Sequence, residues 1–329
     1  MAPSDTRAVV RIGTRGGDLA LWQAAEVARL IRQYHPAVSV EQQIIRTTGD
    51  QVLDLPLDQI GGKGLFTREI EEALASGSVD MAVHSLKDLP TRVPEGLALS
   101  AVLERGDPRD ALVAAQGTTL GGLTAGVRIG TSSLRRRAQL LAHNRRLTVL
   151  DVRGNITTRL AKLDRGDFDA LVLARAGLVR LGLDARIAEI IEPDVIVPAA
   201  GQGALAIESR AADTRLQALL EPLDHRPTRL ATSAERAFLS GLDGGCQVPI
   251  GALGTWRGDT LTLTWMVSDL QGQRLVRGAE MSAVRTETEA TDMGRRLAER
   301  LVESGDAAIL ERGRVTTPAT GDAAHVVRS

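Results

Sequence analysis

The stretch Ala8-Val9-Val10-Arg11-Ile12-Gly13-Thr14-Arg15-Gly16-Gly17-Asp18 reads as a short buried strand running into a glycine turn. Leu19 to Tyr34 follows, with Leu19, Trp22, Ala25, Val27, Leu30 and Ile31 at helical spacing and Asp18 placed as its N-cap. Strand, turn and helix in this order start an α/β unit. The helix start leaves backbone N–H groups that suit an anion, and Arg15 stands at its mouth.

The same order returns further along. Val127-Arg128-Ile129-Gly130 is a strand, Thr131-Ser132-Ser133 a turn, and Leu134 to His143 a helix. Hydroxyls at the helix start add donors for an anion. Arg135, Arg136 and Arg137 occupy its first turns, where the helix dipole favours acids, so they point to an acidic ligand. A second strand, Leu147 to Val152, ends in Arg153-Gly154-Asn155, and the helix after it carries Arg159. Cations therefore stand at several strand ends. Arginine suits bidentate carboxylate or phosphate binding, although a solvated basic face would also account for them.

Between these units, Val38 to Arg46 is a strand and Thr47-Thr48-Gly49-Asp50 a loop. Gly61-Gly62-Lys63-Gly64-Leu65-Phe66 lacks the hydroxyl residue and glycine spacing of a P-loop and reads as a mobile flap with one cation. A helix begins near Thr67, with Glu69, Glu71 and Glu72 in its early turns. Val79 to His84 is a strand that runs into Ser85-Leu86-Lys87-Asp88-Leu89-Pro90. Ligands of open α/β sheets sit off the carboxyl ends of strands, which makes Ser85, Lys87 and Asp88 candidates for chemistry. A capped turn with a surface ion pair is the plain alternative. Asp107-Pro108-Arg109-Asp110 precedes the strand Ala111 to Ala115, and the region near 104–108 reads as a linker into a second domain. Asp169 to Ala174 is a further buried strand. Pro198-Ala199-Ala200-Gly201-Gln202-Gly203 has the wrong spacing for a dinucleotide fingerprint and reads as a hinge into a strand that returns to the first domain.

From about Arg226 the character changes. Thr232 to Leu239 is a helix, and Ile250 to Leu253, Thr260 to Val267 and Arg274 to Met281 alternate as antiparallel strands do. Thr286 to Glu311 reads as one or two helices, and the tail from Gly313 lacks periodicity and is expected to be disordered. Between helix and strands lies Gly244-Gly245-Cys246-Gln247-Val248-Pro249, with the only cysteine among 329 residues. It has no intrachain disulfide partner, and is either an inert buried thiol or one kept for reactivity. The flanking glycines and Gln247 favour a presented thiol.

The length suggests two or three domains. Hydrophobic content of 43% with 25% charged residues fits a soluble globular protein. A net charge of -1 supplies no global field for nucleic acid or membrane, and 2% aromatics make base stacking improbable. There is no signal pattern and no apolar run of about 18 residues, so the expectation is a cytoplasmic protein with neither nucleic-acid nor membrane partner.

The blocks RIGTR, GGKGLF, AVHSLKDLP, DPRDAL, GTSSLRR, VRGN with TRL, AGLVRLG, PAAGQGA and GGCQVPIGA stand in one order. Over about residues 9–310 this resembles the hydroxymethylbilane synthase (porphobilinogen deaminase) family. The resemblance implies an α/β fold of three domains. The first two, 1–103 with about 200–222 and 104–199, would resemble type II periplasmic binding proteins. The third, 223–312, would be a small α/β domain with an antiparallel sheet. It implies a dipyrromethane cofactor held through a thioether to Cys246, no metal, and porphobilinogen as substrate. Four porphobilinogen units are added in turn, each losing ammonia, before water releases linear hydroxymethylbilane.

By the same resemblance Asp88 is the catalytic carboxylate, suited to the cationic azafulvene that deamination creates. Ser85, Lys87, Asp88, Thr131, Ser132, Ser133, Arg135, Arg136, Arg153 and Gly177 would hold the cofactor. Arg15, Arg153, Arg159, Arg180 and Gln202 would hold the acetates and propionates of the substrate, and Lys63 and Phe66 lie on the flap. The family usually has serine, then proline or an equivalent small residue, where Gly17 and Asp18 stand here, and many members have lysine at Val179. A monomer is expected. Two other readings compete: a non-enzymatic small-anion-binding protein of the periplasmic-binding type, and a thiol hydrolase, for which the five histidines offer no paired motif.

Overall fold

The computed structural model describes residues 9–48, 67–242 and 248–311. The chain opens with β1 (Val9–Thr14), α1 (Asp18–Tyr34), β2 (Ser39–Ile44), α2 (Arg68–Ala75) and β3 (Met81–Ser85), which passes directly into a 3-10 turn over Leu86–Asp88. Next come β4 (Leu97–Val102), β5 (Asp110–Val113), β6 (Arg128–Gly130), α3 (Leu134–His143), β7 (Thr148–Leu150) and α4 (Ile156–Asp164). They are followed by β8 (Ala170–Ala174), α5 (Arg175–Arg180), β9 (Ile187–Ile191), β10 (Leu205–Arg210) and α6 (Thr214–Leu220). The chain continues through α7 (Arg226–Gly241), β11 (Ile250–Arg257), β12 (Thr260–Ser268), β13 (Leu275–Ala283), α8 (Glu287–Glu303) and α9 (Ala308–Glu311).

The strands form three sheets, and the fold is α/β. Two have five strands, in the orders β2-β1-β3-β10-β4 and β7-β6-β8-β5-β9, and the third is β11-β12-β13. In each large sheet four strands run one way and one, β10 in the first and β5 in the second, runs against them. The small sheet is antiparallel throughout. Each large sheet buries its own apolar residues: Ile12, Val27, Ile31, Met81 and Ile207 in the first, Leu112, Ile129, Leu140 and Val172 in the second. The small sheet packs on α7 and α8 around Phe238, Leu263, Trp265 and Met293.

The chain crosses between the large sheets twice, after β4 and before β10, and the crossings touch. The amide of Gly106 donates to the carbonyl of Gly203. A Cβ on Gly203, whose φ is +89°, would lie 2.5 Å from the carbonyl oxygen of Gly106. Only glycine allows both that conformation and that approach.

One sequence expectation is corrected here, and two strands are added. Asp18 is the first residue of α1 and not its cap. The cap position is Gly17, with no side-chain hydrogen bond, and Asp18 acts as an acid in the first turn. β4 and β9, unread in the sequence, are short, mostly apolar edge strands whose residues are mostly half-buried.

Candidate active site

The parallel strands of the two large sheets deliver the charged residues from their carboxyl ends. β1 ends at Thr14, so Arg15 opens its turn, and β3 ends at Ser85, so Lys87 and Asp88 fall on the 3-10 turn that follows. β6 ends at Gly130, ahead of Thr131, Ser132 and Ser133, and β7 leads to Arg153 and to Arg159 of α4. Asp88 is exposed, while Ser85, Lys87, Arg15, Arg153 and Arg159 are half-buried.

The hydroxyls of the second turn have local work. Ser133 caps α3 by accepting from the amide of Arg136. Ser132 Oγ donates to the Val152 carbonyl at 2.7 Å and accepts its amide at 3.0 Å, tying the turn to the neighbouring strand. Thr131 Oγ1 accepts from the Ser133 amide.

The acid that answers the arginines of α3 belongs to the protein. Asp110, fully buried at the start of β5, accepts from Arg135 Nη1 at 2.8 Å and from Arg136 Nε and Nη2 at 3.0 and 2.7 Å. Burial alone would raise the Asp110 carboxyl, but the two guanidiniums hold it well below the usual carboxylate range. Arg135 and Arg136 also donate to the carbonyls of Val197 and Val172. Gln202 donates its amide to Pro108 O at 2.7 Å and to Asp110 at 2.9 Å. Its oxygen accepts at 3.5 Å from Lys87 Nζ and from Arg136 Nη2. One amide thus joins the 3-10 turn after β3 of the first sheet to the arginines of the second.

Cations outnumber acids around Asp88. Burial pushes the Lys87 ammonium down to about 8, with Arg136 and Arg135 acting the same way and Asp88 and Asp110 opposing. Burial lowers Arg159 to about 10, with Arg136 and Arg153 adding to the shift and Asp88 opposing. A polyanionic group fits such a site, because its carboxylates would relieve this repulsion. Among the described residues no cluster of His, Cys, Asp and Glu is arranged to hold a metal ion.

Two expected residues have structural partners of their own. Arg180 donates to Gly203 O at 2.6 Å, and its guanidinium carbon lies 5.8 Å from the centre of the Trp22 ring. A Cβ on Gly177 would meet Ile156 at 2.8 Å and Leu19 at 3.8 Å, so this glycine permits close packing between α5, α4 and α1. Lys63, Phe66 and Cys246 lie outside the described residues.

Two residues of the site went unread in the sequence. Asp110 was legible only as part of the block before a strand. Gln23 is buried and donates to Ser85 Oγ at 2.7 Å. Its signal was a polar residue on the face of α1 that also buries Ala24, Val27 and Ile31.

Residues 10–218 match the family model described as "Porphobilinogen deaminase, dipyromethane cofactor binding domain", and residues 229–303 match "Porphobilinogen deaminase, C-terminal domain". A porphobilinogen deaminase of Roseiflexus sp. is 50% identical over 91% of this chain and 97% of its own length. That of Desulforudis audaxviator is 51% identical over 94% of this chain and 99% of its own length. Among solved structures, the periplasmic VFT2 domain of BvgS from Bordetella pertussis aligns with a TM-score of 0.39 and 15% identity, over 65% of this chain and 86% of that one.

Proposed function

The chain belongs to the porphobilinogen deaminase family, and from that premise we propose how its residues divide the work. Its activity is that of a hydroxymethylbilane synthase, a transferase of tetrapyrrole biosynthesis. It joins four porphobilinogen units head to tail, with loss of ammonia, on a dipyrromethane cofactor and releases linear hydroxymethylbilane. When bound, dipyrromethane supplies the free pyrrole carbon to which the first unit is joined.

Asp88 is the catalytic carboxylate. It stabilises the positive charge left on the substrate as the amino group departs, and one of its oxygens relays the proton. Arg135, Arg136, Lys87 and Arg153, with Ser85, Thr131, Ser132, Ser133 and Gly177, hold the cofactor, which is attached through Cys246. Arg15, Arg153, Arg159, Arg180 and Gln202 bind the carboxylates of the incoming unit, and Lys63 and Phe66 cover it. Residues 1–103 with 200–222, 104–199 and 223–312 act as three domains. The protein works as a cytoplasmic monomer.

The observation that carries this reading is the gathering of Arg135, Arg136 and Arg153 near Lys87 and Arg159, which flank the exposed Asp88, with Asp110 as a second acid among the described residues. Intact mass tests it. An excess of one dipyrromethane on the purified chain, absent in Cys246→Ser, is expected. A chain that stays unmodified after incubation with porphobilinogen or hydroxymethylbilane overturns it.

A further inference from the structure

We propose that Asp110 is a positioning residue for the reaction: its carboxylate holds the Arg135 and Arg136 side chains and, through Gln202, sets where Lys87 stands beside Asp88. The role rests on the functional reading above, but the geometry behind it is independent of any family pattern.

Asp110 has no access to solvent, and its two oxygens are taken by three side chains. Arg136 brings both Nε and Nη2 onto the one oxygen Oδ1, so two charge-assisted donors converge on a single acceptor and hold the guanidinium there. Arg135 reaches Oδ2 and leans on the Val197 carbonyl. The third side chain matters most. Gln202 faces two acceptors, Pro108 O and Asp110 Oδ1, so its NH2 must point to them and its oxygen must point the other way. That oxygen is the one that meets Lys87 Nζ. The orientation of an uncharged amide, and with it the seat of the lysine next to Asp88, follows from where one carboxylate sits.

The balance of charge gives a second reason. Without Asp110, Arg135 and Arg136 would lie buried side by side and repel each other and Lys87. An external anion would then have to order them as it bound. With Asp110 in place the guanidiniums are ordered beforehand, and cofactor carboxylates meet a fixed surface.

Asp110→Asn keeps the shape and removes the charge. Two readouts separate positioning from plain support of the fold. The first is kcat and KM per chain that carries dipyrromethane, with folding checked by circular dichroism. Displacing catalytic groups by about an ångström lowers kcat/KM by about a hundredfold. The second is the pH at which Lys87 becomes reactive toward an acylating reagent, followed by mass spectrometry. Asp110 favours the ammonium of Lys87, so its removal should move that midpoint to lower pH. This readout needs no turnover and therefore tests the role even if the functional reading fails. A folded Asp110→Asn with unaltered kcat/KM and an unaltered Lys87 midpoint overturns the proposal. If Asp110→Asn does not fold, Asp110→Glu decides, because it keeps the charge and shifts the oxygens by one methylene. A fall in kcat/KM at an unaltered melting temperature then supports positioning, and wild-type kcat/KM overturns it.

Discussion

The two five-stranded sheets share one strand order, yet each buries its charge differently. In the second sheet, Asp110 sits beneath α3 with Arg135, Arg136 and Gln202 bonded to it. In the first, His84 of β3 and Glu208 of β10 approach to 3.4 Å, and neither His84 Nε2 nor Glu208 Oε2 has a hydrogen-bond partner among the described residues. Both clusters lie near strands that lead into the site. The carboxylate of the second cluster is fully engaged by side chains, whereas in the first a buried acid and imidazole face each other without a hydrogen bond. On the proposed assignment the second sheet supplies the grip, and the first, through Asp88, supplies the chemistry.

Four measurements break or sharpen that contrast. Asp88→Ala should lower bilane formation by about 10²–10⁴-fold while the mass of the bound dipyrromethane and the circular dichroism persist. Substantial turnover would remove the chemistry from the first sheet. Arg136→Met should destabilise the protein by about 1.5–3 kcal/mol, since it takes a charged donor from a buried acceptor, and it should also reduce cofactor loading. An unchanged denaturation midpoint would show that the Asp110 cluster is not the firmer of the two.

The third measurement is the pH dependence of loading. Folding lowers Lys87 from 10.5 to about 8. The unfolded chain therefore binds more protons between those values, and this group's contribution to stability rises with pH across that window. On the role proposed for its ammonium, cofactor loading should fall over the same window, with the charged fraction dropping by roughly tenfold per unit well above the midpoint. Loading that holds constant up to pH 10 would rule out a role for the Lys87 charge. The smallest effect is expected for Glu208→Gln. It replaces one unsatisfied acceptor by a group that can donate to His84, so stability should change by no more than about 1 kcal/mol. A loss of several kcal/mol would mean that the first sheet's pair is as firmly engaged as the second's.

Much of this site was legible before any fold was known. The strand–turn–helix units around Arg15 and Thr131–Ser133, and the run through Ser85, Lys87 and Asp88, are local patterns. Local patterns survive in a sequence because hydrophobic spacing and turn chemistry act over a few residues. The edge strands β4 and β9 were harder to read because an apolar run of only five or six residues has no period that separates strand from helix. Gln23 was hidden for a related reason: a single polar residue on a buried helix face does not disturb the helical period.

The sequence alone determined the α/β class, the cations at strand ends, the carboxylate at Asp88 and the single thiol at Cys246. Only the tertiary structure decided what the arginines do first. In the chain, three consecutive arginines at a helix start implied an outside acid. In the fold, Asp110 lies 25 residues from Arg135 and 92 from Gln202, and it takes bonds from both. A charge is written at one position, but its partner is set by which strands pair, and that pairing brings together residues whose spacing in the chain carries no trace of it.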